Sequence, residues 1–310
     1  MSQSLAFVFP GQGSQHLGML AELAESNPVI KQTFAEASEV LGYDLWALTQ
    51  DGPEADLNQT DRTQPALLTV GVALWRMWQE KGGEAPALMA GHSLGEYTAL
   101  VCAGAIQFKD AVNLVRLRGE FMQQAVPAGT GAMAAILGLA DDAIQAACEA
   151  AAQDEVVSPV NFNCPGQVVI AGNKAAVGRA IEGCKAAGAK RAIPLPVSVP
   201  SHCVLMKPAA EQMAAELNKI EITLPEITVI QNFSAKAASS VDELVGNLLA
   251  QLYSPVLWTD SVQSMVDQGI ESTVECGPGK VLCGLNKKVH RPLVVAAINE
   301  PAGLEKALGA

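Results

Sequence analysis

The sequence lacks most of what would take a protein to a membrane, a metal ion or a nucleic acid. The stretch MSQSLAFVFP has no basic n-region, and its apolar run stops at Pro10. That run is too short for a secretory h-region or a bilayer span. Histidine is scarce, with four in the chain and no His/Cys cluster at ligand spacing, so no metal site is expected. The seven cysteines are scattered, without a Cys-x-x-Cys pair. With no signal segment recognised, they read as reduced thiols of a cytoplasmic protein. Basic residues are outnumbered: 20 Lys and Arg face 32 Asp and Glu, for a formal net charge of -12. A surface so acidic is a poor wrap for nucleic acid or an anionic bilayer. Repeats, low-complexity tracts and Pro/Ser linkers are also missing.

What is present is length and apolar content. A chain of 310 residues, at about 150 residues per domain, suggests two domains or one large domain with an insertion. With 49% hydrophobic and 17% charged residues, it can bury a sizeable core. Strand-like and helix-like segments alternate almost throughout, the signature of an α/β fold with a mostly parallel sheet. Strands are expected at 5–9, 87–91, 227–232, 273–276 and 293–298. Helices are expected at 64–79, with Pro65 in the first turn, and at 94–103, 110–124, 204–220, 242–253 and 258–268. The middle of the chain reads strand, helix, strand, strand, helix, strand, the ferredoxin-like pattern. We therefore expect a small ferredoxin-like subdomain at 127–198, inserted into a large, discontinuous, hydrolase-like α/β domain at 1–126 and 199–310.

The sharpest local signal is Gly91-His92-Ser93-Leu94-Gly95, a G-x-S-x-G sequence between an expected strand and an expected helix. On such a tight turn the glycines permit close backbone approach and the Ser93 hydroxyl projects from the sheet edge. The N–H of the next residue, Leu94, then faces a developing oxyanion. The plainer alternative is a glycine-rich turn with a capping serine. A nucleophilic serine needs a base, and His16, His92, His202 and His290 are the candidates. His92 adjoins the serine on a turn that makes side chains diverge. His290 lies among Lys287, Lys288 and Arg291, and His16 in a Gly/Gln loop. His202, in Pro200-Ser201-His202, stands where the chain re-enters the large domain, a common cleft position. Gly11-Gln12-Gly13-Ser14-Gln15 lacks the third glycine of a dinucleotide fingerprint. It reads better as a loop whose backbone N–H groups share an edge with Ser93. Arg116 and Arg118 lie two apart on one helix and so face different ways. One inward guanidinium would clamp a carboxylate or phosphate, and a surface pair with Glu120 or Asp110 is the alternative.

Together, Gly11-Gln12-Gly13-Ser14-Gln15, Gly91-His92-Ser93-Leu94-Gly95-Glu96, Arg118 and Pro200-Ser201-His202 make the chain resemble the malonyl-CoA:acyl-carrier-protein transacylases, stand-alone bacterial enzymes of fatty acid synthesis. The likeness runs over nearly all of the chain. It implies Ser93 as nucleophile, His202 as general base and then acid, and the Gln12 and Leu94 N–H groups as oxyanion hole. It also implies Arg118 as the malonyl-carboxylate clamp and Gln251 as the residue that orients His202 through its carbonyl. No prosthetic group is implied; coenzyme A is the substrate handle. The tetrapeptide Val199-Pro200-Ser201-His202 is similar to that of the fatty-acid-type enzymes rather than of modular polyketide acyltransferases. The expected partner, an acyl carrier protein, is acidic and needs a local positive patch. Lys280, Lys287, Lys288 and Arg291 offer one cluster, Lys190 and Arg191 a smaller one; a merely solvated helix is the alternative. Two rival functions share some of these features: a serine esterase or thioesterase of the α/β class, and a carrier-binding module with a vestigial site.

Overall fold

The computed structural model describes residues 2–197 and 199–309. Met1, Ser198 and Ala310, which end three of the expected segments, lie outside the described residues.

The apolar run after the N-terminus forms β1 (Ser2–Phe9). Its residues Ala6 to Phe9 are fully buried, as a strand covered on both faces must be. β1 is the middle of a five-stranded sheet with β2 (Pro86–Gly91), β7 (Thr228–Ile230), β8 (Ser272–Glu275) and β9 (Val294–Ala297), in the order β7-β2-β1-β8-β9. Every neighbouring pair in it is parallel. Phe7, Phe9, Met89, Val229 and Val274 face one layer of helices. Ala6, Val8, Leu88, Ala90 and Ile230 face the other. Because all strands run the same way, their C-terminal ends share one edge, where ligand crevices form in such sheets.

The first layer holds α1 (Ala21–Ser26), α2 (Pro28–Leu41), α3 (Leu45–Asp51), α4 (Glu54–Leu57), α5 (Thr60–Glu80), α6 (Leu94–Cys102) and α7 (Phe108–Ala125). Two sequence expectations are corrected here. Helix α5 starts at Thr60 rather than Gln64, and Pro65 lies inside it, not in its first turn. Burial of nearly the whole helix, Pro65 included, outweighs the one missing N–H.

The second sheet draws its strands from residues 131 to 194. They are β3 (Gly131–Leu137), β4 (Val157–Cys164), β5 (Gln167–Asn173) and β6 (Arg191–Pro194), in the order β4-β5-β3-β6 and all antiparallel. This is the ferredoxin-like arrangement. Pro165 and Gly166 turn the β4–β5 hairpin, with Gly166 at φ 73°. Helices α8 (Asp141–Ala152) and α9 (Lys174–Ala186) cover the face carrying Ala134, Ile136, Val168 and Ile170. The other face carries Met133, Val169 and Ala171 and meets Cys203. Val256, which packs in the layer against Ala6, Val8 and Ile230, is tied to β4: it gives its N–H to Val160 O (2.8 Å) and accepts from Phe162 N (3.0 Å).

After the second sheet, a 3₁₀ turn over Val204–Met206 precedes α10 (Lys207–Leu217). The single helix expected over 204–220 is thus split, with Pro208 in the first turn of the second piece, where its missing N–H costs nothing. Helix α11 (Val241–Tyr253) follows, capped by Ser240, whose Oγ accepts from Glu243 N at 3.2 Å. The chain then forms α12 (Trp258–Asp267), α13 (Val281–Val289) and α14 (Pro301–Leu308).

Candidate active site

The end of β2 turns into α6 within two residues. A Cβ on Gly91 would lie 1.9 Å from the Gly95 carbonyl carbon, and one on Gly95 would lie 2.0 Å from Phe9 O. No side chain fits at either place, so the turn can close tightly against β1. Between them Ser93 adopts φ 54°, ψ -108°, a left-handed strain that only fixed surroundings maintain. The strain lifts its hydroxyl off the sheet edge at the start of α6.

His202 arrives from the opposite side, in the loop after the second sheet, and also holds a positive φ of 65°. Its Nε2 lies 2.7 Å from Ser93 Oγ and its Nδ1 2.7 Å from the Gln251 backbone oxygen. Its own N–H donates to Leu252 O at 3.0 Å. A carbonyl only accepts, so the proton sits on Nδ1 and Nε2 offers its lone pair to the serine hydroxyl. Burial, with help from the Arg118 charge, pushes the imidazole down to about 3, so at physiological pH it is neutral and its Nε2 lone pair is free to accept a proton. The other histidines do not reach Ser93. His92 Nε2 bonds Asn163 Oδ1 on β4 (2.8 Å), and exposed His16 bonds Leu17 O (3.1 Å). His290 ends α13.

Arg118 and Arg116 divide as their spacing requires. Arg116 pairs with Glu120 at the surface. Arg118 is 1% exposed. Its Nη1 donates to Gln64 Oε1 (2.7 Å), and its Nη2 to Gln251 Oε1 (2.9 Å) and Ser93 Oγ (3.4 Å). A Cβ on the next residue, Gly119, would lie 2.6 Å from Asp61 Cα. The bare glycine lets α7 press against the first turn of α5 and aims Arg118 inward. The guanidinium has only neutral hydrogen-bond partners, so its charge is available to an anion.

Around these three groups lies a polar network of which sequence reasoning named Gln251 and missed the rest. Asn232 Oδ1 accepts from Ser93 N (2.7 Å), and Asn232 Nδ2 donates to Gly91 O (2.6 Å). Gln251 Nε2 donates to Ser93 O (3.0 Å) and to Glu96 Oε2 (2.9 Å). Glu96 also accepts from Asn232 N (2.9 Å) and from Gln231 Nε2 (3.0 Å). It is fully buried, and that burial lifts its carboxyl to about 7 against those bonds and Arg118. The usable signal was position: Gln231 and Asn232 follow β7 at the active edge, and Glu96 adjoins the G-x-S-x-G run. Gln64 carried no signal beyond lying on an apolar helix.

The loop carrying Gln12 packs on the serine turn, since a Cβ on Gly11 would lie 2.5 Å from His92 O. The Gln12 side chain donates to Thr60 Oγ1 at 3.3 Å. Leu94 opens α6, where N–H groups have no intrahelical acceptor. The two basic clusters, far apart in sequence, meet at the β4–β5 turn. Lys288 Nζ donates to Gln167 Oε1 (3.2 Å), and Lys287 Nζ to Arg291 O (3.1 Å). The Lys190 side chain lies over Gly138, whose N–H binds Gly166 O (2.8 Å). Arg191 begins β6. Lys280 stands at the other end of α13, about 13 Å away at 1.5 Å per residue.

A nucleophile, a neutral imidazole and a buried cation whose hydrogen-bond partners are uncharged thus meet at one edge of the sheet, an arrangement suited to acyl transfer from an acid-bearing thioester. The family model described as acyl transferase domain matches residues 6–297. Over 303 residues, 98% of either chain, the sequence is 63% identical to the malonyl CoA-acyl carrier protein transacylase of Escherichia coli (strain K12). Among solved structures, an acyl carrier protein S-malonyltransferase from Vibrio cholerae matches with a TM-score of 0.96 and 63% identity, covering 98% of this chain and 99% of that one. A malonyl-transacylase solved in complex with its type II PKS acyl-carrier protein matches with a TM-score of 0.98 and 60% identity, over 99% of both chains.

Proposed function

The chain belongs to the acyl transferase domain family, and from that premise we infer that it is a malonyltransferase of fatty acid biosynthesis. It moves the malonyl group from malonyl-CoA to the phosphopantetheine thiol of acyl carrier protein through a malonyl ester on Ser93. The observation that carries this reading is the convergence on Ser93 Oγ of His202 Nε2 at 2.7 Å and Arg118 Nη2 at 3.4 Å.

In the first half-reaction His202 takes the Ser93 proton as the oxygen attacks the thioester carbonyl. The N–H groups of Gln12 and Leu94 receive the oxyanion. The intermediate collapses, the C–S bond breaks, and His202 returns the proton to the departing coenzyme A sulfur. In the second half the carrier thiol gives its proton to His202 and attacks the malonyl ester; serine leaves with that proton. The Gln251 carbonyl keeps Nδ1–H in place through both halves and stabilises the imidazolium less than a carboxylate would. Arg118 holds the malonate carboxylate. Acetyl-CoA brings no carboxylate to that guanidinium and forgoes its charge-assisted hydrogen bonds, which disfavours it. A simple esterase has no use for such a clamp.

The chemistry calls for no prosthetic group. We assign residues 127–198 to a small unit that walls the cleft, and 1–126 with 199–310 to the catalytic unit. The carrier docks where Lys190, Arg191, Lys287, Lys288 and Arg291 gather round the β4–β5 turn, with Lys280 outside that patch. No described helix is long and apolar enough to cross a membrane, and the cysteines are free; both suit work in the cytoplasm. The test is to mix the protein with malonyl-CoA alone and map the acylated peptide by mass spectrometry. A malonyl ester on Ser93, stable until a carrier thiol is added, is expected. Rapid release of free malonate instead would make the protein a hydrolase.

A further inference from the structure

The mechanism gives Glu96 no task, although both its oxygens are engaged beneath the reacting groups. We propose that Glu96 is a positioning residue for Ser93 and Arg118, and that it is the counter-charge of Arg118 that takes up a proton when a malonate carboxylate arrives. The proposal rests on the reading of Arg118 as the malonate clamp.

The positioning follows from donors and acceptors. A carboxylate only accepts, so Gln251 must turn its NH₂ group towards Glu96 Oε2 and therefore its Oε1 towards Arg118. On the same oxygen the Asn232 N–H is anchored, and the Asn232 side chain grips the serine turn at Ser93 N and Gly91 O. Two amides thus carry the orientation set by one carboxylate to the nucleophile and to the guanidinium. A neutral amide at position 96 would point its own NH₂ at one of three donors.

The counter-charge follows from what else is there. Glu96 faces Gln231 and Asn232 after β7, Gln251 of α11, Arg118 of α7 and its own neighbour Tyr97. Tyr97 is pushed up to about 12 by burial, and nearby His202 down to about 3, so both are neutral. Arg118 and Glu96 are then the two charges, and they sum to zero. A malonate carboxylate on Arg118 makes the buried set negative. Because burial already brings Glu96 to about 7, a proton enters there readily once a second anion competes for the guanidinium.

The test is calorimetric titration of Ser93→Ala protein with malonyl-CoA at about pH 8, where Glu96 begins ionised, in two buffers of different ionisation heat. Uptake on the order of one proton is expected with malonyl-CoA and none with acetyl-CoA. The same uptake with both ligands, or none with either, overturns the proposal. Adding Glu96→Gln should abolish the uptake. In the active enzyme, Glu96→Gln should lower kcat about tenfold to a hundredfold and remove the ionisation near 7 from the pH–rate profile, and Glu96→Asp should restore that ionisation. An unchanged profile in Glu96→Gln counts against it, and the calorimetry decides should that variant misfold. Malonyl-CoA binding indifferent to Arg118→Ala would remove the clamp itself, and the proposal with it.

Discussion

The two sheets obey opposite rules at their ends. In β3 and β5 of the antiparallel sheet side chains alternate: Ala134, Ile136, Val168 and Ile170 point to the helices, Met133, Val169 and Ala171 to the face that meets Cys203. Its strands end alternately on both sides, so neither end collects loops. The parallel sheet sends five strand ends to one edge, and that edge gathers Ser93, His202, Arg118 and the Glu96 network. Two of the five described non-glycine residues with positive φ, Ser93 and His202, stand there facing each other. Strain and buried polarity are therefore concentrated where the chain direction makes ends coincide, and the antiparallel sheet supplies an ordinary apolar wall.

That contrast can be broken at either side. The largest effect is expected at the parallel edge: Ser93→Ala should lower malonyl transfer at least about a thousandfold, measured as malonyl-carrier formation, with the thermal midpoint little changed. Arg118→Ala should come next, cutting the malonyl over acetyl preference on the order of a hundredfold in competition assays. An unaltered ratio would exclude Arg118 as the clamp. In the other sheet Ile170→Ala should cost about 2–5 kcal/mol of stability and lower the melting temperature, yet leave the malonyl/acetyl ratio of the folded protein alone. A changed ratio would show that the wall shapes selectivity.

Proton linkage sharpens the same contrast. His202 falls from 6.5 to about 3 on folding, so the folded chain binds fewer protons in that window and loses stability as pH drops through it. Glu96 rises from 4.5 to about 7, so its contribution runs the other way and is lost as pH climbs from 4.5 to 7. The stability of the native protein relative to His202→Gln should therefore shrink as acid is added below about pH 6.5, followed by thermal melts. The smallest effect is reserved for the rim: reversing charge at Lys287 and Lys288 should raise KM for the carrier several-fold and leave that for malonyl-CoA unchanged.

The sequence disclosed most of the architecture because period and order are local properties. The central strands, the serine turn and the strand–helix order of the second sheet could all be read from neighbours. The helices between residues 21 and 57 could not. Three of them, α1, α3 and α4, are short, and what holds the group is packing among its members and on α5, which no local period records. The start of α5 was hidden by Pro65, whose breaking tendency was outweighed by burial. Arg118 was found, but not its direction, which depends on Gly119 meeting Asp61 some sixty positions away. Gln64 was invisible because an amide's importance lies in the atom it faces, and Gln231 and Asn232 showed only their place after a strand.

The group that steadies the His202 ring is a peptide oxygen, and every residue has one. Exchanging Gln251 removes an amide and leaves that acceptor standing. A library of single amino-acid replacements can therefore delete two members of this triad but never the third; only an ester bond built into the main chain at that peptide could weaken it.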